Sequence, residues 1–151
     1  MSFEALRTVR FSDCDPAGIV FFPQYLVMLN GVVEEWFDAE LGIRYAGLIG
    51  ERRLGLPTVR LEVDFTAISR HGDTLRWGVA VGQLGRSSLT LAHEVLGAAD
   101  AVPRLRARQV LVCTSLATHR PQALPDDVRA AVQAYGACAG NAGASAARRL
   151  P

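Results

Sequence analysis

The apolar positions along the chain change period twice. Residues Phe3 to Phe11 read as a strand, with Leu6, Val9 and Phe11 as apolar contacts. Regularity then breaks at Ser12-Asp13-Cys14-Asp15-Pro16-Ala17-Gly18, where Asp, Pro and Gly favour turns. Next, Tyr25, Leu29, Val32, Val33, Trp36, Phe37 and Leu41 recur at helical spacing and make a wide apolar stripe. Pro23 suits the first turn of that helix, because an N–H there would lack an intrahelical partner. Gly42 stands where a left-handed C-terminal cap belongs.

Beyond the helix the pattern becomes extended. Thr58 to Ile68, Asp73 to Leu84, Ser87 to Leu96 and Leu105 to Leu116 are four strand candidates rich in Val, Leu, Thr and Ile. The second and third meet at the short turn Leu84-Gly85-Arg86, as antiparallel neighbours do. Pro125-Asp126-Asp127 opens a last short helix, Asp126 to Ala137. Gly136 to Pro151 is rich in Ala and Gly without apolar pattern, so a domain over 1–138 and a mobile tail over 139–151 are expected. One sheet wrapped around the striped helix is the simplest cover for that stripe. Such a sheet leaves an edge and a face open, which predicts at least a dimer.

Composition narrows the function. Of 151 residues, half are hydrophobic and 21% are charged, the balance of a globular domain rather than a disordered one. A net charge of +1 argues against nucleic acid or an anionic membrane as main partner. Cys14, Cys113 and Cys138 lack the spacing of a zinc site or disulfide framework, which fits reduced thiols in a cytoplasm. The start MSFEALRTVRFSD is not a secretory signal, and no apolar run reaches the roughly 20 residues of a membrane span.

The chemistry concentrates between Asp13 and Tyr25. An acidic pair in a constrained loop precedes a helix N-terminus, whose unpaired N–H groups and dipole can stabilise an oxyanion. A carboxylate beside them can act as nucleophile or general base. The same residues also suit a plain cap and turn, and residue chemistry alone leaves both readings open.

The string D-C-D-P-A-G-I-V-F-F-P-Q-Y, followed by the amphipathic helix, resembles the 4-hydroxybenzoyl-CoA thioesterase family of hot-dog proteins. The resemblance runs more loosely from Leu6 to Val132. It implies an α+β hot-dog fold: a five-stranded antiparallel sheet around a long central helix, with dimers joined edge to edge and often tetramers. It also implies hydrolysis of an aromatic or short- to medium-chain acyl-CoA, without metal or organic cofactor. By that likeness Asp15, immediately before Pro16, is the catalytic carboxylate, and Asp13 structures the loop. The Phe22 backbone N–H polarises the thioester carbonyl. Family members carry a tyrosine there, so a role for its hydroxyl is absent from this chain. Phe21 lines an aromatic or acyl pocket. Arg86, Ser87 and Ser88, and more loosely Arg120, match phosphate-binding positions for coenzyme A. Solvated turn arginines are the plain alternative for Arg86 and Arg120.

Other candidates carry less. Glu34 and Glu35 lie on the central helix, and Glu35 is offset from the stripe towards a solvated or interface role. His71, His93 and His119 match no zinc spacing, and no G-x-S-x-G elbow is present. Cys14 reads as a small buried hydrophobe. Two other function classes remain on this fold. A non-catalytic acyl-CoA-binding domain would make no use of Asp15. A hydratase would pair an acid with a His, and none lies near Asp15 in sequence.

Overall fold

The computed structural model describes residues 3–143, with side chains to residue 137. Strand β1 is Phe3–Thr8, helix α1 is Phe22–Ala39, helix α2 is Tyr45–Gly50 and β2 is Leu54–Gly55. There follow β3 (Thr58–Phe65), β4 (Thr74–Leu84), β5 (Ser88–Gly97), β6 (Pro103–Val112), β7 (Thr114–Ser115) and α3 (Asp126–Gly143). The main sheet has five strands in the order β1-β4-β5-β6-β3, all neighbours antiparallel. Thus β1 and β3 are its edges. The two-residue strands β2 and β7 form a separate ribbon.

Alternation along the strands explains the two faces. Leu75, Trp77 and Val79 of β4, Leu89, Leu91 and Val95 of β5, and Leu105 and Leu111 of β6 are buried. So is the α1 stripe that covers them: Tyr25, Leu29, Val32, Val33, Trp36 and Phe37. The Trp36 ring meets both Phe37 and Tyr135 edge-on at 5.3 Å. Tyr135 of α3 then ties that helix to the sheet, accepting the Phe3 N–H at 3.0 Å and donating to the Val79 carbonyl. The opposite face carries small residues, Gly78, Ala80 and Ala92, between the ion pairs Glu4–Arg76 and Glu94–Arg106. Edge strand β3 exposes Val59 and Phe65.

The five-stranded antiparallel sheet and the striped helix stand as expected, with α1 at 18 residues. Several boundaries differ for local reasons. β1 stops at Thr8, because Val9 leaves the ladder to bond Asp73 and Gly72 and the chain then tightens into a 3-10 turn at Phe11–Asp13. The last strand breaks at Cys113, whose N–H donates to the Ser87 carbonyl at 2.7 Å, before β7 pairs with β2. α3 runs to Gly143, six residues past Ala137, held through buried Val128, Val132 and Tyr135. Of the tail expected to be mobile, 144–151 lie outside the described residues. Gly42 adopts φ +63°, and α1 closes just before it as a C-terminal glycine predicts. α2 and the β2–β7 ribbon were not foreseen, since each is too short for a periodic signal.

Candidate active site

The loop before α1 is a small hairpin built from its own backbone. Cys14 and Val20 form an antiparallel bridge, the Asp15 N–H donates to the Ile19 carbonyl at 3.0 Å, and the Phe21 N–H donates to Asp13 at 2.8 Å. At its tip the Gly18 N–H closes a turn onto the Asp15 carbonyl at 2.9 Å. Pro16 suits the second position of that turn, and Gly18 accepts the φ of +79° that the return requires. Asp13 steadies the entry: its carboxylate accepts the Arg10 N–H at 2.8 Å.

A second set of bonds docks the hairpin on the loop between β3 and β4. The Val20 N–H donates to the Ser69 carbonyl at 2.9 Å, and Ile19 bridges to Arg70. Behind it the Tyr25 hydroxyl of α1 donates to the buried Ser69 hydroxyl at 2.8 Å. Burial holds the Tyr25 phenol above its ordinary pKa, so it remains a neutral donor. Ring contacts extend the anchor, with Phe65 6.1 Å from Phe22 and 5.8 Å from Tyr25.

Asp15 and Phe22 sit on opposite arms of this hairpin. Asp15 is half-buried, and one carboxylate oxygen accepts the Ala17 N–H at 2.8 Å. The other oxygen has no hydrogen-bond partner among the described residues. Phe22 opens α1, and its N–H likewise has no partner among the described residues. That is the ordinary state of a first-turn amide, with the positive end of the helix dipole behind it. The rings of Phe21 and Phe22 are 48% and 57% exposed and lie 5.7 Å apart. The arrangement offers a proton acceptor or nucleophile, a free amide donor and an apolar rim.

The expected phosphate-binding residues lie elsewhere. Arg86, Ser87 and Ser88 turn between β4 and β5, at the end of the sheet away from the Asp15 hairpin. β4 spans eleven residues, so roughly 30 Å separates its ends at about 3.3 Å per residue. Arg120 belongs to the Arg86 end, because its carbonyl accepts the Ser115 N–H and the Leu124 N–H beyond it donates to the Arg86 carbonyl. Arg129 fixes that turn by donating to the Gly85 and Arg86 carbonyls at 2.8 Å. The Arg86 side chain is exposed. Within one chain, then, Arg86 and Arg120 share an end and Asp15 has the other.

Among the remaining candidates, Glu35 pairs with Arg7 through both oxygens at 2.7 and 3.2 Å and is a surface bridge between α1 and β1. Cys14 is half-buried, its sulfur 3.6 Å from the Arg10 carbonyl. His93 is buried and fully hydrogen-bonded within the sheet. The Tyr25–Ser69 anchor was missed because a residue 44 positions away in a loop leaves no periodic trace.

Comparison with known proteins bears on the same region. Residues 9–132 match the family model described as thioesterase-like superfamily. The chain is 28% identical over 131 residues to a 1,4-dihydroxy-2-naphthoyl-CoA hydrolase of Synechocystis sp., covering 87% of this chain and 94% of the relative. It is 30% identical to the hydrolase of that name from Nostoc punctiforme, over 85% of this chain and 84% of the relative. The crystal structure of a 1,4-dihydroxy-2-naphthoyl-CoA thioesterase from Synechocystis superposes with a TM-score of 0.80, covering 88% of this chain and 96% of that one.

Proposed function

Because this chain belongs to the thioesterase-like superfamily, we propose that Asp15 and the Phe22 amide hydrolyse the thioester of an aromatic acyl-CoA, 4-hydroxybenzoyl-CoA-like or larger. The protein is a thioester hydrolase, as its named relatives are. In the proposed reaction the free oxygen of Asp15 takes a proton from water as the water attacks the carbonyl carbon. Alternatively, Asp15 attacks directly and water then cleaves the mixed anhydride. The carbonyl oxygen gathers negative charge opposite the Phe22 N–H and the end of α1. The carbon–sulfur bond breaks, and the coenzyme A thiolate leaves and is protonated. The products are the free acid and coenzyme A, and no step calls on a metal or an organic cofactor. Single turnover in isotopically labelled water reads this step: label on Asp15 shows an anhydride opened at the aspartyl carbon, whereas attack of water on the acyl carbon, by either route, places the label in the free acid.

The observation that carries this reading is a carboxylate with one oxygen tied to Ala17 and the other free, on a hairpin leading into a helix whose first amide is unpartnered. The aromatic preference is supported by the exposed Phe21 and Phe22 at the rim and by the relatives' printed substrates.

A second copy completes the site in this proposal. β3 presents an exposed edge with Val59 and Phe65 uncovered, a surface that pairing would bury. Antiparallel pairing of two such edges about a two-fold axis lays the Thr58 end of one copy beside the Phe65 end of the other. Arg86, Ser87, Ser88 and Arg120 of one protomer then reach the coenzyme A phosphates at the other's Asp15. A dimer, or a tetramer of two dimers, is the expected mass in light scattering. A fully active monomer would remove the pairing. No helix among the described residues is long and apolar enough to cross a membrane, and a cytoplasmic setting is proposed with the unpaired Cys14 and Cys113 in its favour.

The deciding experiment is thiol release from an acyl-CoA panel by the parent and by Asp15→Asn. The expected loss of turnover is about 10²–10⁴-fold, typical of removing a general base. An Asp15→Asn protein as fast as the parent would end this mechanism. Acyl-CoA binding without thiol release by the parent would favour the binding-domain alternative.

A further inference from the structure

The turn between β4 and β5 is held by its carbonyl groups. The Gly85 N–H donates to the Ser88 carbonyl at 2.8 Å, which leaves Arg86 and Ser87 as a two-residue loop. Such loops ordinarily take a positive φ at the first or both central residues, and the first carbonyl of the turn accepts the fourth residue's N–H. Here neither Arg86 nor Ser87 has a positive φ, and the Gly85 carbonyl accepts from Arg129 of α3 instead, at 2.8 Å. The same Arg129 nitrogen donates to the Arg86 carbonyl at 2.8 Å, where the Leu124 N–H joins it at 2.9 Å. The Ser87 carbonyl accepts the Cys113 N–H at 2.7 Å. All four carbonyls from Gly85 to Ser88 are therefore bonded within the protein.

The loop amides are left free. The N–H groups of Arg86 and Ser87 have no partner among the described residues, and neither do the hydroxyls of Ser87 and Ser88. The Ser88 hydroxyl lies so close over Gly85 that a Cβ there would collide with its oxygen. Successive free amides in a turn, with hydroxyls beside them, suit an anion. The charge nearby has the same sense. Arg129 is half-buried and has no carboxylate partner among the described residues. Asp127, on the same turn of α3, is engaged by Arg52 through both oxygens at 2.7 and 2.9 Å. Arg86 adds an exposed guanidinium.

We propose that Arg129 is the positioning residue of this turn: it draws the Gly85 and Arg86 carbonyls inwards, so that the Arg86 and Ser87 amides and the two serine hydroxyls receive a phosphate group. Arg129 acts through the turn and not as a ligand. Between Gly85 and Ser88 the chain carries a single cation, and a phosphate needs more than one partner. Oriented amides, with a second cation behind them, supply the rest. Arginine suits the clamp because its fixed planar head presents donors to two carbonyls at once. That the phosphate belongs to coenzyme A rests on the reading above.

The test is calorimetric binding of coenzyme A and of pantetheine, which lacks the phosphates, to the parent, Arg129→Met, Arg129→Lys and Gly85→Ala. The readout is the preference for coenzyme A over pantetheine, because a general weakening of the fold lowers both affinities and leaves their ratio. Arg129→Met is expected to cut the preference about tenfold, the size of one lost hydrogen bond to a charged group. Arg129→Lys keeps a cation that can donate to the carbonyls and is expected to hold the preference within about threefold of the parent. Gly85→Ala leaves α3 untouched, displaces the Ser88 hydroxyl and is expected to lower the preference in the same direction; it decides alone if Arg129→Met does not fold. A parent without preference for coenzyme A, or an Arg129→Met protein with the parental preference, overturns the proposal. Thiol release is scored separately: a preference that follows Arg129 without hydrolysis would sink the thioesterase reading and leave this one standing.

Discussion

The two ends of the sheet are held by different means. At the Phe65 end the Asp15 hairpin is fixed by main-chain bonds, Asp15 to Ile19, Gly18 to Asp15, Phe21 to Asp13 and Val20 to Ser69. Side chains contribute through Pro16, Gly18, the carboxylates and the Tyr25–Ser69 bond and Phe65 ring contacts behind the loop, but the course of the hairpin itself is set by main-chain bonds. Towards the Thr58 end the order comes from side chains: a line of bonds starts at Trp77, in the Phe65 row of the sheet, and runs in a single direction through His93 and Gln109 to Thr58. A backbone-held site tolerates substitution, and each residue's chemistry can be changed without moving its neighbours. A side-chain-held site transmits any change to the next partner, because a buried donor left unpaired costs about 1–3 kcal/mol.

Replacing His93 is the strongest way to break this contrast. His93→Leu orphans the Trp77 N–H and the Gln109 carbonyl together, and a loss of about 2–5 kcal/mol in urea unfolding is expected. Asp15→Asn, on the backbone-held side, should shift the same curve by less than about 1 kcal/mol while turnover collapses. Equal losses for both would show that the two ends are built alike.

Acidity probes the same residue more finely. Burial lowers the His93 pKa from 6.5 to about 4, since the protein interior disfavours its charged form. Above pH 6.5 His93 is neutral in both folded and unfolded chains and adds no slope. Between pH 6.5 and about 4 the unfolded chain takes up a proton that the native chain refuses, so native stability falls as pH falls. The expected loss from this residue is on the order of 3 kcal/mol across that window. His93→Leu should remove that part of the slope. Parallel stability curves for parent and variant from pH 7 to 4 would refute it.

Asp13 tests how far the hairpin depends on the carboxylate at its entry. Asp13→Ala leaves the main-chain bonds in place and frees one exposed N–H, that of Arg10. A cost of about 1 kcal/mol is expected, typical of a lost cap. A loss of several kcal/mol would mean that the side chain, rather than the backbone, holds the loop.

This division also explains what could be read from the sequence. The hairpin and α1 are contiguous, and their signals lie in order: Asp15-Pro16-Ala17-Gly18 for the turn, Pro23 for the helix start, seven apolar positions for its buried face. Local chemistry dictated local structure, so the turn, its helix and the four long strands were legible, while the closing of the loop into a hairpin through the Cys14–Val20 bridge was not. The line from Trp77 to Thr58 was not. Its members are separated by 16, 16 and 51 positions, and strand register alone brings them together. His93 read as an isolated histidine because its partners lie on neighbouring strands. Likewise, Arg86 and Asp15 could be matched to roles one at a time, but their separation along β4 appears only once the sheet is assembled.

The smallest effect expected is also the most direct probe of the backbone-held end. Phe22 stands where a tyrosine would be expected by resemblance; its part in the bond-breaking step is assigned to the amide, and its ring serves only the apolar rim. The ring is 57% exposed and meets Phe65 edge-on, so a para-hydroxyl can be added with its oxygen in water and no buried atom displaced. Phe22→Tyr therefore keeps the N–H, the helix start and the ring contact, and changes only a solvated group. Thiol release by Phe22→Tyr should stay within about twofold of the parent, because a solvated hydroxyl supplies no differential stabilisation of the transition state. A tenfold rise would mean that the hydroxyl reaches the reacting atoms, and that this end of the sheet, like the other, relies on a side chain to bind.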